Sequence, residues 1–133
     1  MSNKPRYLSP EWKEAVEAKL KSELSAEKMN RITSSMANIY QNCPDGKEHY
    51  MFFNYVDGNL EEFLVGEGQA PEAEFKISGD YETFAKISRA EMGAQVGLMS
   101  GKLKLKGNMI KALKLASIAD RLNKVIAKVD AEY

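Results

Sequence analysis

The sequence predicts a single α+β domain in which helices cover one face of a mainly antiparallel sheet. Its 133 residues are one domain's length of chain, enough to bury a core. Aromatic and β-branched residues are concentrated between residues 48 and 65, where turn residues interrupt them. The predicted elements follow the order helix, strands, helix, strand, helix, which is typical of an α+β fold.

The first helix is predicted from its start signal and its apolar spacing. Ser9 can cap the free amides, Pro10 suits the first helical position, and Glu11 lies near the positive end of the helix dipole. Apolar side chains every four residues then indicate an amphipathic helix over about residues 10–24: Trp12, Val16, Leu20 and Leu24. We expect residues 1–6, ahead of this helix, to be flexible. A weaker alternation over residues 32–40 is compatible with a strand.

Three strands are predicted in the middle of the chain. Residues 48–56 form the first, Asp57-Gly58 is a two-residue hairpin signal, and residues 59–65 form the second. Polar and apolar side chains alternate over residues 74–78, which predicts a third, shorter strand. Because these strands are consecutive and joined by short links, we expect them to pair as antiparallel neighbours.

The strand over residues 48–56 is apolar on both faces. Tyr50, Phe52 and Val56 lie on one side, and the alternate positions carry Met51, Phe53 and Tyr55. A sheet that faces water on one side needs only one apolar face. The second face must therefore be covered by another element, a partner or a ligand.

The second half of the chain predicts two helices around a strand, with a brief helix between them. Asp80 can cap a helix over residues 81–90, and residues 92–100 form a short helix and a loop. Residues 102–106 alternate strictly between lysine and leucine, which indicates a half-buried or edge strand. Asn108 caps the last helix, over residues 109–129, which has one apolar stripe and one basic stripe.

Composition and charge exclude several classes of protein. The 19 basic and 19 acidic residues cancel, so no nucleic-acid partner is expected. A single cysteine, Cys43, cannot form an intrachain disulfide, and no apolar run reaches 18 residues; we therefore expect a cytoplasmic protein. Residues 101–133 carry eight bases and three acids. This asymmetry either orients the molecule at an anionic surface or simply gives two solvated faces of opposite sign.

No residue pattern in the sequence supports catalysis, a cofactor or a metal. His49 is the only histidine, and no second His or Cys lies at a usual metal-ligand spacing, so we expect His49 to be structural. Cys43 lies in a turn without a local histidine partner, which argues against a nucleophilic thiol. Glu61 and Glu62 point to opposite faces of a strand and cannot act as a carboxylate pair.

Two stretches resemble a known family. Residues 100–109 (SGKLKLKGNM), running into KALKL at 111–115, resemble the C-terminal signature of the sterol carrier protein two family. Residues 75–84 (FKISGDYETF) look like its strand-to-helix junction, and LSPEW at residues 8–12 resembles the first helix of stand-alone prokaryotic members. The resemblance is specific from about residue 75 to residue 115 and architectural before that.

The resemblance implies a five-stranded sheet covered by helices that enclose an apolar tunnel. It implies a non-catalytic carrier of fatty acid, acyl-CoA, phospholipid or a sterol-like ligand. Peroxisomal members end in a basic-Leu tripeptide, whereas this chain ends in Tyr133, which favours a prokaryotic cytoplasmic role and weighs against a sterol.

The expected lining of that tunnel comes mainly from the second half of the chain. The candidates are Phe84, Ile87, Met92, Val96, Leu98, Met99, Leu103, Leu105, Met109, Ile110 and Leu113. Three of the seven methionines lie within residues 92–109, and flexible Met side chains suit an adaptable cavity, although they also fill gaps in an ordinary core. Lys111 and Lys114 are expected to contact a ligand headgroup or an anionic membrane.

Two other functions remain open at this stage. The same fold could be an interaction or regulatory module that forms a homodimer through the aromatic strand or the Gly-rich loop. It could also be an enzyme with an apolar pocket, for instance an isomerase or a thioesterase. An enzyme would need a buried titratable residue with a shifted pKa, and the sequence nominates none.

Overall fold

The computed structural model describes residues 4–133 and confirms the predicted α+β fold. The elements in chain order are α1 (Pro10–Glu23), β1 (Ser34–Gln41), β2 (His49–Val56), β3 (Asn59–Glu67), β4 (Phe75–Asp80), α2 (Tyr81–Ser88), α3 (Ala94–Met99), β5 (Leu103–Lys106) and α4 (Met109–Ile126). The uncertain strand over residues 32–40 is therefore present as β1. No helix within residues 4–133 has the length and apolar character needed to cross a membrane.

The described strands form one sheet of five in the order β3-β2-β1-β4-β5. Three neighbouring pairs are antiparallel and β1 pairs with β4 in parallel, so the mainly antiparallel prediction is confirmed. The expected pairing of three consecutive strands is wrong in one respect. The strands β2 and β3 do pair, but β4 lies on the far side of β1.

The connection between β3 and β4 explains both this crossing and the two apolar faces of β2. Residues 68–74 pass over the outer face of the sheet, where Ala70 is buried with Ala37 and Phe52. Tyr50 packs against the same small cluster. Another element of the chain thus covers most of the second face of β2, although Val56 at its end stays exposed.

Local signals set the helix starts and the β2–β3 turn. The Oγ of Ser9 accepts a hydrogen bond from the amide of Trp12, and the Oδ1 of Asn108 accepts one from the amide of Lys111. Asp80 occupies the N-cap position of α2 without a capping bond, because its carboxylate accepts from the side chain of Asn42 instead. Asp57 and Gly58 both have positive φ, as a two-residue hairpin requires.

The core lies between the sheet and the helices; Tyr7 belongs to it, and Ala131 packs against it. The backbones of Pro5 and Tyr7 are hydrogen-bonded to Glu132. Residues 1–3 lie outside the described residues, and the flexibility expected for residues 1–6 stays a prediction. The hydroxyl of Tyr7 lies 2.9 Å from that of Tyr40 and 2.6 Å from that of Ser88. This buried network fastens the N-terminal segment to the sheet and to α2.

Candidate functional site

An apolar cavity of about 100 Å³ lies between the inner face of the sheet and helices α2, α3 and α4. Its floor includes inner-face side chains of the strands: Met36, Phe53, Phe75 and Ile77. On the opposite wall, α4 presents Ala112, Ala116 and Ala119. These positions recur every three or four residues and so share one face of the helix. The alanine methyl groups leave more open space at these positions than the larger α4 side chains that share the wall, Leu115, Ile118 and Leu122.

The predicted lining residues divide into three groups. Phe84, Ile87, Leu98 and Leu103 lie in the cavity wall. Three others pack, partly buried, against the hydrophobic core outside the wall: Met92, Leu105 and Leu113. The last four are exposed, with relative exposures of 58% for Val96, 71% for Met99, 44% for Met109 and 69% for Ile110.

The expectation that these four exposed residues line a tunnel is wrong for this structure, and helix geometry gives the reason. The helix α3 is only six residues long and turns Gly97 and Leu98 inward, which leaves Val96 and Met99 on its outer side. Met109 and Ile110 form the first turn of α4, before its inward-facing alanines begin. We call these four side chains the apolar face.

Several wall residues were missing from the prediction. Met29 and Ile32 come from the link between α1 and β1, and the alanines of α4 read as ordinary helix formers. The sequence did indicate that sheet residues could line the cavity, because Phe53 belongs to one of the two apolar faces predicted for β2. Ordinary core packing would give the same pattern, so periodicity alone does not identify a cavity wall.

Polar groups interrupt the apolar wall at a few positions. Asn38 lies on the middle strand and Asn123 on α4, and neither amide makes a side-chain hydrogen bond to any residue from 4 to 133. The hydroxyl of Tyr55, whose ring is also in the wall, is buried and likewise lacks a partner there. Burial raises the pKa of Tyr55, so this hydroxyl stays protonated. A buried polar group without a partner costs about 1–3 kcal/mol, which favours occupants that hydrogen-bond.

The two lysines predicted to contact a headgroup differ in their surroundings. Lys111 is ion-paired with Glu74, whose carboxylate also accepts from Ser34 at the cavity wall. The hydrogen bond from Lys111 lowers the pKa of Glu74, so this pair holds across neutral pH. Lys114 is exposed and makes no ion pair within the described part of the chain.

A second group of side chains that could bind a ligand lies after the end of β1, in the turn that leads to β2. Ligand atoms of Cys43, Asp45 and His49 all lie within 4.8 Å of one another, and the Nε2 of His49 is 2.7 Å from the Oδ2 of Asp45. The expectation that Cys43 has no local histidine partner is therefore wrong. Asp45 follows Cys43 by two residues and precedes His49 by four, and the three side chains meet only because the chain reverses direction in this turn.

Comparison with known proteins places this architecture in context. Residues 15–120 match the model of the SCP-2 sterol transfer family. A crystal structure of sterol carrier protein 2 superposes with a TM-score of 0.80 at 25% identity, covering 94% of this chain and all of that one. A conserved hypothetical protein from Thermus thermophilus superposes with a TM-score of 0.78 at 25% identity, covering 98% of this chain and 94% of its own.

Two curated relatives match parts of the chain. Hydroxysteroid dehydrogenase-like protein 2 of Xenopus laevis is 36% identical over 90 residues, which is 67% of this chain and 21% of that protein. Non-specific lipid-transfer protein-like 1 of Caenorhabditis elegans is 34% identical over 65 residues, 49% of this chain and 55% of the relative. The chain thus spans about a fifth of the first relative and about half of the second.

Proposed function

The chain belongs to the SCP-2 sterol transfer family, and on this premise we propose that it binds one lipid in the cavity between the sheet and α4 and carries it without catalysis. The observation that carries the proposal is an apolar cavity with a few unpaired polar groups in its wall. The C. elegans relative has lipid transfer in its name, which supports the same role. The dehydrogenase-like relative supports no reaction here, since only 21% of it is matched.

The hydrophobic effect supplies enough free energy for such a carrier. Each methylene taken out of water contributes about 0.8 kcal/mol, so a cavity that widened to bury all of a C16 chain, about fourteen methylenes, would gain on the order of 11 kcal/mol gross. Association and ordering take back several kcal/mol, which leaves affinity in the micromolar range or tighter. The free amides of Asn38 and Asn123 favour a ligand with a carbonyl, carboxylate or hydroxyl group over a plain hydrocarbon.

Native mass spectrometry of the purified protein, with organic extraction, tests this proposal. We expect a one-to-one adduct with the mass of a fatty acid or phospholipid. We also expect a fatty acid to displace a fluorescent acyl probe at lower concentration than the alkane of equal length. A protein that carries no lipid, ignores the probe and sediments as a dimer at high concentration would favour the homodimeric interaction module.

We further propose that the apolar face docks on an anionic membrane during transfer. Its side chains lie on α3, which packs against α4, and on the first turn of α4, and both helices also supply wall residues of the cavity. Exposed lysines accompany it along the chain: Lys102, Lys104, Lys106, Lys111 and Lys114. Exposed apolar side chains flanked by lysines are typical of surfaces that insert into the headgroup region of anionic bilayers.

The double substitution Met99→Ser, Ile110→Ser should slow lipid transfer from anionic vesicles at least tenfold, a loss of about 1.4 kcal/mol or more. Full burial of the two side chains would be worth roughly 1.5–3 kcal/mol each, so partial insertion of both is enough for this effect. The measurement is transfer of a fluorescent lipid between phosphatidylglycerol-containing vesicles. The matched control is Val56→Ser, Leu64→Ser, which removes two exposed apolar side chains that lie on β2 and β3 and do not belong to the apolar face. Equal slowing by both double variants, or by neither, would contradict a docking role for the apolar face.

A further inference from the structure

We propose that Cys43, Asp45 and His49 form a binding site for a divalent transition metal, with zinc the best match to the donors. A thiolate, an imidazole and a carboxylate are the three side-chain types that zinc sites use. All three lie in one seven-residue segment and bring their ligand atoms within 4.8 Å of one another. This site is independent of the proposed lipid cavity, because no residue lines both.

The turn holds these ligands close to coordination geometry before any ion binds. Its backbone closes through a 2.9 Å hydrogen bond from the Gly46 amide to the Cys43 carbonyl, and Gly46 has the positive φ that this reversal needs. The second carboxylate oxygen of Asp45 accepts from the Lys47 amide, which fixes the orientation of the carboxylate. Zinc bonds of 2.0–2.3 Å place tetrahedral ligands roughly 3.5 Å apart, so small side-chain movements complete the site.

The charges also balance. On binding, the Cys43 thiol loses its proton to solvent, and the thiolate and the Asp45 carboxylate together neutralise the two positive charges of the ion. A neutral site is compatible with the buried position of Cys43 and with Arg6 in the wall of the same pocket. Three protein ligands leave a fourth position, and because all three line a pocket of about 260 Å³ there is room in it for a water or a small anionic ligand.

Titration of the metal-free protein with Co²⁺ tests the proposal, because a thiolate bound to cobalt gives a charge-transfer absorption band. We expect the band to saturate at one equivalent and to be displaced by zinc. Cys43→Ser should lose the band, and Asp45→Asn and His49→Ala should each weaken binding on the order of tenfold or more. The matched control is Glu48→Gln, which removes a neighbouring carboxylate that is not in the cluster.

Two results would overturn the proposal. If no band forms at one equivalent, or if the band survives in Cys43→Ser, the cluster is a hydrogen-bonded pair beside a thiol. Circular dichroism confirms that each variant is folded, and Cys43→Ala provides a second test of the sulfur ligand if the serine variant unfolds. Binding of the acyl probe should be unchanged in every variant.

Discussion

Replacing Ala116 with phenylalanine should reduce the affinity for an acyl ligand at least tenfold, a loss of about 1.4 kcal/mol or more. Ala116 is buried on α4 and lies in the cavity wall. The ring of a phenylalanine at this position must take the space that the proposed ligand would occupy. Because the space already exists, we expect the substitution to cost only about 1 kcal/mol of folding free energy, the low end of the range for overpacking.

Ser117→Phe is the matched control for this substitution. Ser117 is the next residue on α4 and is exposed, so the same side chain points into solvent there. Binding of a fluorescent fatty acid, followed by titration, should separate the two variants, and thermal unfolding should show that both are folded. Unchanged affinity in folded Ala116→Phe would place the lipid somewhere other than this cavity.

Features of the fold that depend on a few adjacent residues could be predicted from the sequence. The starts of α1 and α4 are predictable because a cap acts over three residues, and both Ser9 and Asn108 make the expected bonds. The β2–β3 turn is predictable for the same reason. Each of these features depends on neighbouring residues alone, so tertiary context has little power to override it.

The path of β4 depends on contacts that the sequence does not display. The link over residues 68–74 is short enough for an antiparallel turn, yet it crosses the sheet because Ala70 finds an apolar surface on Ala37 and Phe52. The two apolar faces of β2 were the available signal. They predicted that something covers the strand without indicating which segment.

The candidate sites were only partly predictable, for two different reasons. In α3 the six residues are too few for periodicity to define an inner side, so Val96 and Leu98 look equivalent although one is exposed and the other lines the cavity. In the β1–β2 turn, the approach of Cys43 to His49 is created by backbone reversal. Ligand spacing rules describe regular motifs and do not cover such a turn.

The largest effect on stability is expected for Trp12→Ala, which should lower the free energy of unfolding by about 3–5 kcal/mol. Trp12 is completely buried on α1, and its ring meets that of Tyr7 edge-on with centroids 4.8 Å apart. Truncation removes this contact and leaves a cavity beneath the N-terminal segment. Urea unfolding measures the loss, and Glu14→Ala, at an exposed position of the same helix, should stay within about 0.5 kcal/mol of the parent.

Trp12→Phe separates the contribution of ring packing from that of the indole N–H. The Nε1 of Trp12 has no hydrogen-bond partner among residues 4–133, so its removal relieves an unpaired buried donor. We therefore expect the phenylalanine variant to lose only about 1–2 kcal/mol, well below the loss on truncation to alanine. Equal losses in the two variants would contradict this expectation and mean that the indole N–H contributes to the stability of the folded state. A loss below about 1 kcal/mol in Trp12→Ala would show that α1 contributes little to the core.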